Sequence, residues 1–261
     1  MKNIDLVNLA KSVVTIAEAA SKVILEIYAK ADLGVEFKAD DSPVTLADQQ
    51  SDALIRLRLS ALTPDIPVIS EEGEEIDYEI RSKYESYWLV DPLDGTKEFV
   101  KRNGDFTINI ALMHANEPIL GVVYIPTEAT AYWAAKGHGA WQNDKAIRAD
   151  TFTLSQSGLG IAVSRSHFNQ ATSDFVGGFV YPRLMARGSA LKMLLVASGE
   201  AHIHPRFGTT MEWDTAAAQV IVEEAGGRIE RSENQGKLLY NKRDLRNPNF
   251  IVYGNLRDTN A

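Results

Sequence analysis

The run Tyr87-Trp88-Leu89-Val90 is aromatic or branched throughout and carries no charge, the mark of a strand bound for a core. It passes directly into Asp91-Pro92-Leu93-Asp94-Gly95-Thr96. Burying an uncompensated carboxylate is costly, and a core strand has no packing reason to end in two of them. Any fold that accepts this segment must leave the strand's end where both acids are neutralised.

The flanking sequence supplies further strands and the helices to cover them. Leu6, Leu9, Val13, Ile16, Ala20, Val23 and Ile27 share one helical face, which predicts a long helix over roughly residues 4–30. A polar stretch, Lys38 to Pro43, interrupts the pattern. A second helix is expected from about Thr45 to Leu62, closed by Pro64 and Pro67. Residues 67–70 form a short strand that delivers Glu71 and Glu72. From Phe106 to Trp141 the texture is β: residues 106–113 and 118–126 are joined by a hairpin connection, and 129–142 reads as a strand pair turned through Gly137 and Gly139. Residues 143–150 are polar and read as a link between two halves. Beyond Ser157, strands are expected at 159–164, 180–186, 201–205 and 249–255. Helices are expected at 189–198, with Gly199 as a stop, and at 214–227. Such alternation favours stacked α and β layers, and no internal repeat is present.

At 261 residues the chain can bury a large core, as one domain or two closely packed halves. The expected division is an N-terminal α+β half, 1–150, carrying most of the strand-end acids, and a C-terminal α/β half, 151–261, carrying Asp214. There is no cysteine, hence no disulfide framework, thiolate nucleophile or cysteine-ligated metal. Met1 to Leu6 leads into an amphipathic segment rather than an apolar run, and no window has the length of a membrane span, so a cytoplasmic location is expected, with loose association at the inner membrane surface left open. With 27 Lys and Arg against 35 Asp and Glu, the net charge of −8 argues against binding long nucleic acid. It leaves room for a small phosphorylated substrate if cations invert the local field.

Each acidic position has an ordinary explanation when taken alone. Asp94-Gly95 is a common turn pair, residues 71–75 read as a solvated loop, and Asp214 stands where a helix cap is expected. Together they say more, because Glu71, Asp91 and Asp94 all follow apolar strands, where open α/β sheets place their sites. Gathered carboxylates repel unless cations sit among them, and oxygen donors without Cys or clustered His suit Mg²⁺. Pro92 stiffens the turn so that the Leu93 carbonyl can face a cation. Gly95 and Thr96 can offer backbone N–H groups to phosphate. The Thr96 hydroxyl reads either as a turn hydroxyl or as the group that orients a water.

Glu71-Glu72, Asp91 to Thr96 and Trp213 to Ala218 together resemble the three signatures of the magnesium-dependent, lithium-sensitive phosphatases of the inositol monophosphatase superfamily. The likeness runs from about Ser42 to Gly227. A narrower one, carried by Ser42 to Asp48, Asp94 to Leu112 and Pro205 to Gly208, is to the bacterial 3′(2′),5′-bisphosphate nucleotidases. The resemblance implies an α/β (α+β) fold layered α-β-α-β-α. It implies hydrolysis of the 3′-phosphate of adenosine 3′,5′-bisphosphate, left from sulfate assimilation, to AMP and phosphate. Glu71, Asp91 and the Leu93 carbonyl would hold one Mg²⁺, and Asp91, Asp94 and Asp214 a second. A third would join near Glu71 with substrate. Asp48 and Thr96, with Glu71, form the implied catalytic set for direct attack by a metal-activated water, without a phosphoenzyme. Substrate contacts carried over are Glu71, Leu93, Asp94, Gly95, Thr96, Ser189, Lys192 and Asp214. In Gly188 to Lys192, Ala190 replaces a family Ser, while Ser189 and Lys192 keep their places near the ribose or base. His167 matches a position near adenine in some relatives and reads equally as a surface loop residue, whereas His202 and His204 are expected to be structural.

The rival within this class is an inositol monophosphatase or broader sugar phosphatase, which would share every metal ligand. Lys97, Lys101 and Arg102 form a basic cluster that would suit a second phosphate or a solvated loop. A non-catalytic nucleotide or metal sensor would show a broken metal or water site, and here all the acids and Thr96 are in place. A calcium-binding scaffold would need an EF-hand-like loop or a repeat. The superfamily contains monomers and homodimers, and both remain open.

Overall fold

The computed structural model describes residues 5–37 and 43–257. The expected break at residues 38–42, the start of the first helix at residue 4 and Ser42 of the motif lie outside the described residues.

Helix α1 (Leu6–Tyr28) begins where the Asp5 carboxylate accepts from the Val7 and Asn8 N–H groups, each at 3.1 Å. Its buried face is Leu9, Val13, Ile16, Ala20, Ile24 and Ile27, so Ile24 takes the place expected of Val23. Two short strands, β1 (Glu36–Phe37) and β2 (Pro43–Val44), pair antiparallel before α2 (Leu46–Leu62). Next come β3 (Val68–Ser70), α3 (Tyr78–Arg81), β4 (Ser86–Asp94), α4 (Thr96–Val100), β5 (Thr107–His114) and β6 (Glu117–Ile125). The β5–β6 turn has only Ala115 and Asn116 between the paired His114 and Glu117. Both take the left-handed conformation that matches strand twist. Strands β7 (Thr130–Ala135), β8 (Ala140–Gln142) and β9 (Lys145–Ile147) complete a seven-stranded sheet in sequential order, antiparallel except for the parallel β3–β4 pair.

Strand β9 corrects the sequence expectation, since part of the polar stretch 143–150 is a sheet strand and not a link. Lys145 and Ala146 are exposed at the sheet's edge while Ile147 is buried. The remainder comprises β10 (Thr151–Phe152), β11 (Gly160–Ser164), α5 (Gln170–Gly177), β12 (Arg183–Arg187), α6 (Leu191–Ala197), β13 (Ile203–Arg206), α7 (Glu212–Glu224), β14 (Arg228–Arg231), β15 (Phe250–Tyr253) and β16 (Asn255–Leu256). Strands β10 and β16 pair with each other, and a five-stranded sheet runs in the order β12-β11-β13-β15-β14. Strand β12 starts three residues later than expected, after Tyr181 turns the chain at a φ of 48°.

Side-chain alternation along the central strands explains the layering. Trp88, Val90, Ile108, Ile110 and Leu112 point to one side, where α1 and α2 cover them. Tyr87, Leu89, Ala111 and Met113 point to the other, against α6, α7 and the inner face of the five-stranded sheet. The outer face of that sheet, with Ile161, Val163, Ile203 and Ile251, packs against Val176 and Phe175 of α5. The order is therefore α-β-α-β-α. Helix α7 lies so close to β6 that a Cβ on Gly121 would fall 2.1 Å from the Ala217 carbonyl oxygen. No helix among the described residues is long and apolar enough to cross a membrane.

Candidate active site

The apolar strand Tyr87-Trp88-Leu89-Val90 does not end at Val90. Strand β4 continues to Asp94, with Asp91 opposite Asn109 and Asp94 opposite Thr107 on β5. Pro92 and Leu93 thus face one residue, Ile108, which makes a β-bulge. Residues three apart on a regular strand would point to opposite faces. The extra residue restores the phase, so both acids emerge on the same side. Proline is well suited to this place, since the bulged position needs no ladder donor.

Glu71 reaches the same region by the parallel pairing of β3 with β4, whose last matched pair is Ser70 with Val90. The Ser70 hydroxyl donates to Asp52 of α2 at 2.6 Å, which fastens this strand end. Asp214 arrives from the first turn of α7, where one of its oxygens accepts from the Met211 N–H at 2.8 Å. It is therefore both the cap expected from the sequence and a wall of the cavity. Ligand oxygens of Glu71, Asp91 and Asp214 lie within 4.8 Å of one another. Asp94 stands beside this trio, with its Oδ2 accepting from the Ser189 hydroxyl at 2.8 Å and from Asn109 Nδ2 at 3.3 Å.

Burial, and then the charges of Glu71, Asp94 and Asp214, push the Asp91 carboxyl well above the usual carboxylate range. Asp214 moves the same way, by burial and by Asp94, against the opposing pull of Arg206. One oxygen of each is held by a backbone N–H, Leu93 for Asp91 at 3.0 Å and Met211 for Asp214. Among the described residues no Lys or Arg makes an ion pair with Asp91 or Asp214. This donor set of hard oxygens fits a divalent cation, which would relieve the repulsion.

Thr96, the first residue of α4, follows Gly95, whose φ of 97° requires a residue without Cβ strain. The Thr96 hydroxyl donates to Asp48 Oδ1 at 2.9 Å. Asp48 sits behind Thr96 on the first turn of α2 and does not itself line the cavity. Its other oxygen accepts from the Thr45 N–H and hydroxyl at 2.7 and 2.6 Å. Burial raises the Asp48 carboxyl, while these hydrogen bonds oppose the rise.

The four acids Glu71, Asp91, Asp94 and Asp214, with Leu93, Gly95 and Thr96, border one cavity of about 650 Å³. Its walls also include Lys97, His167, Phe168, Lys192, Arg206, Phe207 and Trp213. Burial pulls the Lys192 ammonium down to about 8, opposed by Asp94. His167 is held below its ordinary value by burial and by Arg206, Lys97 and Lys192. His204 donates from Nδ1 to the Ala162 carbonyl at 2.9 Å and burial holds it neutral, while His202 Nδ1 accepts from the Gly160 N–H.

Two sequence readings gain detail and one residue is added. Ser189, expected near ribose or base, lines the cavity with its hydroxyl bonded to Asp94 and Thr107. The basic cluster separates: Lys97 faces the cavity, Lys101 bonds Ser166 at 3.2 Å, and Arg102 bonds the Tyr28 and Lys30 carbonyls at the end of α1. Arg102 is drawn there because its guanidinium also lies 5.5 Å over the Tyr28 ring. Arg206 was not singled out as a site residue, although it lies within the Pro205–Gly208 motif.

The Inositol monophosphatase family model matches residues 5–258. The chain belongs to the inositol monophosphatase family. That family is metal-dependent. The 3′(2′),5′-bisphosphate nucleotidase CysQ of Salmonella typhimurium is 42% identical over 93% of this chain and 98% of its own. The Escherichia coli (strain K12) CysQ is 42% identical over 91% and 96%. The crystal structure of CysQ from Bacteroides thetaiotaomicron superposes with a TM-score of 0.84 at 36% identity, covering 98% of this chain and all of that one. Other members with this fold include an IMPase/NADP phosphatase complexed with Mg²⁺ and phosphate, at 21% identity and a TM-score of 0.80.

Proposed function

We propose that this chain is a Mg²⁺-dependent phosphatase that hydrolyses the 3′-phosphate of adenosine 3′,5′-bisphosphate to AMP and phosphate. The observation that carries the reading is a cavity whose lining combines clustered carboxylates with Lys192, Arg206, Phe168, Phe207 and Trp213. Aromatic rings suit a base, and the cations suit a second phosphate. The CysQ relatives carry the corresponding activity in their names.

Glu71, Asp91 and the Leu93 carbonyl would hold one Mg²⁺, and Asp91, Asp94 and Asp214 a second, with a third near Glu71 once substrate is present. Bound there, the ions would supply a more acidic water and positive charge against the phosphoryl oxygens. Thr96 donates its own hydrogen to Asp48, which leaves its oxygen free to accept from the attacking water. The water oxygen bonds to phosphorus as the bond to the ribose 3′-oxygen breaks. The water's proton passes through Thr96 to Asp48, and the ribose oxygen gains a proton from solvent. Backbone N–H groups of Gly95 and Thr96, at the start of α4, would receive the phosphate. Lys192 and Arg206 would meet the remaining phosphate, with His167 nearby.

The test is phosphate release by the purified protein with Mg²⁺, comparing adenosine 3′,5′-bisphosphate with inositol 1-phosphate and using Asp91→Asn as control. Strong preference for the nucleotide, abolished in the control, is the expected result. Preference for the inositol ester would keep the metal chemistry and overturn the substrate. Release from neither would overturn the reading.

A further inference from the structure

Asp105 lies outside the cavity, in the loop between α4 and β5, and is 2% exposed. Its carboxylate gathers three donors. Oδ2 accepts from Arg165 Nε at 2.8 Å and from the Gly188 N–H at 2.9 Å, and Oδ1 accepts from Arg187 at 3.3 Å. Arg165 directly follows β11, Arg187 ends β12 and Gly188 comes next, so one side chain ties this loop to the ends of two parallel strands. The contact is tight: a Cβ on Gly188 would fall 2.6 Å from the Asp105 carbonyl oxygen.

The residue delivered by this clasp is Ser189, held at a φ of 49° in the left-handed region. Its hydroxyl touches Asp94 Oδ2 and Thr107 Oγ1, and Asn109 Nδ2 reaches the same Asp94 oxygen. An ionised Asp94 only accepts, so Ser189 donates to it, while the single Thr107 hydroxyl hydrogen has both Asn109 Oδ1, at 2.9 Å, and Ser189 within reach. Two donors then occupy Oδ2, which leaves Oδ1 as the oxygen available to a cation.

We infer that Asp105 is a positioning residue for the cation site, acting through Gly188 and Ser189 to orient Asp94. The inference rests on the cation-binding reading of the cavity. A purely structural Asp105 would weld the chain's two halves and leave cation affinity alone. Partners that orient a ligand typically change metal affinity by about 10-fold or more when removed.

The experiment is Mg²⁺ titration of metal-free protein, without substrate, by calorimetry and by the Mg²⁺-induced rise in Tm. Asp105→Ala and Ser189→Ala should each weaken Mg²⁺ binding by about 10-fold. The double variant should be no weaker than the worse single, because both lose the same hydroxyl contact. Asp105→Asn, which still presents an oxygen to the Gly188 N–H, should recover most of the affinity. Should Asp105→Ala fail to fold, Asp105→Ser stands in, being polar but too short to reach Gly188. Unchanged Mg²⁺ affinity with a lowered Tm, or losses that multiply in the double variant, would overturn the inference. A wild type that takes up no Mg²⁺ would instead overturn the cation-site reading, and this inference with it.

Discussion

Thr96 joins two environments, with its hydroxyl hydrogen on buried Asp48 and its oxygen on the cavity side. Thr96→Val keeps the shape and removes that relay, so kcat should fall by roughly 100-fold or more, with Thr96→Ser restoring most of it. A fall confined to KM would contradict the assigned role. Lys192 gives a pH signature. Its pKa is lowered from the ordinary lysine value to about 8 by burial. The positive charge that draws phosphate is therefore present below about pH 8 and lost as pH rises through it. KM for the nucleotide should climb above that pH in the wild type. It should stay flat in Lys192→Met, starting about 10-fold higher, as befits loss of a charged hydrogen bond. At this scale Glu71, Asp91 and Asp94 stand out in the sequence because acids after apolar strands violate a local pattern, whereas Thr96 and Asp214 stand out through the family resemblance. Asp105 violated none. Its meaning comes from Arg165, Arg187 and Gly188, which lie far along the chain and are brought to it only by the fold. Arg206 was equally silent, since an arginine at the end of a strand looks like any solvated residue.

Elements were legible where the periodicity was clean. Helix α1 and strands β5 and β6 carry apolar patterns and α2 is bounded by Thr45 and Pro64, and their limits in the structure differ little from those read in the sequence. The unforeseen elements are short, or bury few of their residues. Strand β14 is Arg-Ile-Glu-Arg with only Ile229 buried, and β9 buries only Ile147. Helix α5 is short and packs through few residues. The bulge in β4 also went unread, because Asp-Pro-Leu-Asp looks like a strand's end unless the register of β5 is known. Packing between elements makes its own prediction at Gly121. Replacing it with Ala would put a methyl into the Ala217 carbonyl and force α7 away from β6. The expected cost is about 1–3 kcal/mol or more by denaturant unfolding. Because α7 carries Asp214, Mg²⁺ affinity should fall alongside stability.

Across the whole molecule, the two sheets do not own separate cores. Helices α6 and α7 sit between them, and one apolar cluster takes side chains from β4, β5, α6, α7, β11 and β15 together. Unfolding one sheet would strip the other of its cover. Hydrogen exchange in mild denaturant should therefore show strands of both sheets opening together, and two well-separated transitions would contradict the shared layer. The sequence indicated stacked layers through its alternation of strands and helices. It could not show that a helix from the second half roofs the sheet of the first. That arrangement has a consequence for the newborn chain. A ribosome delivers Glu71, Asp91 and Asp94 early and Asp214 much later, and the growing N-terminal portion emerges with one face of its sheet bare. Until α7 leaves the exit tunnel there is no closed cavity and no complete set of carboxylates. A prematurely ended chain would carry most of the acids without the chamber that gives them a purpose, and its sticky sheet face would mark it for chaperones or proteases.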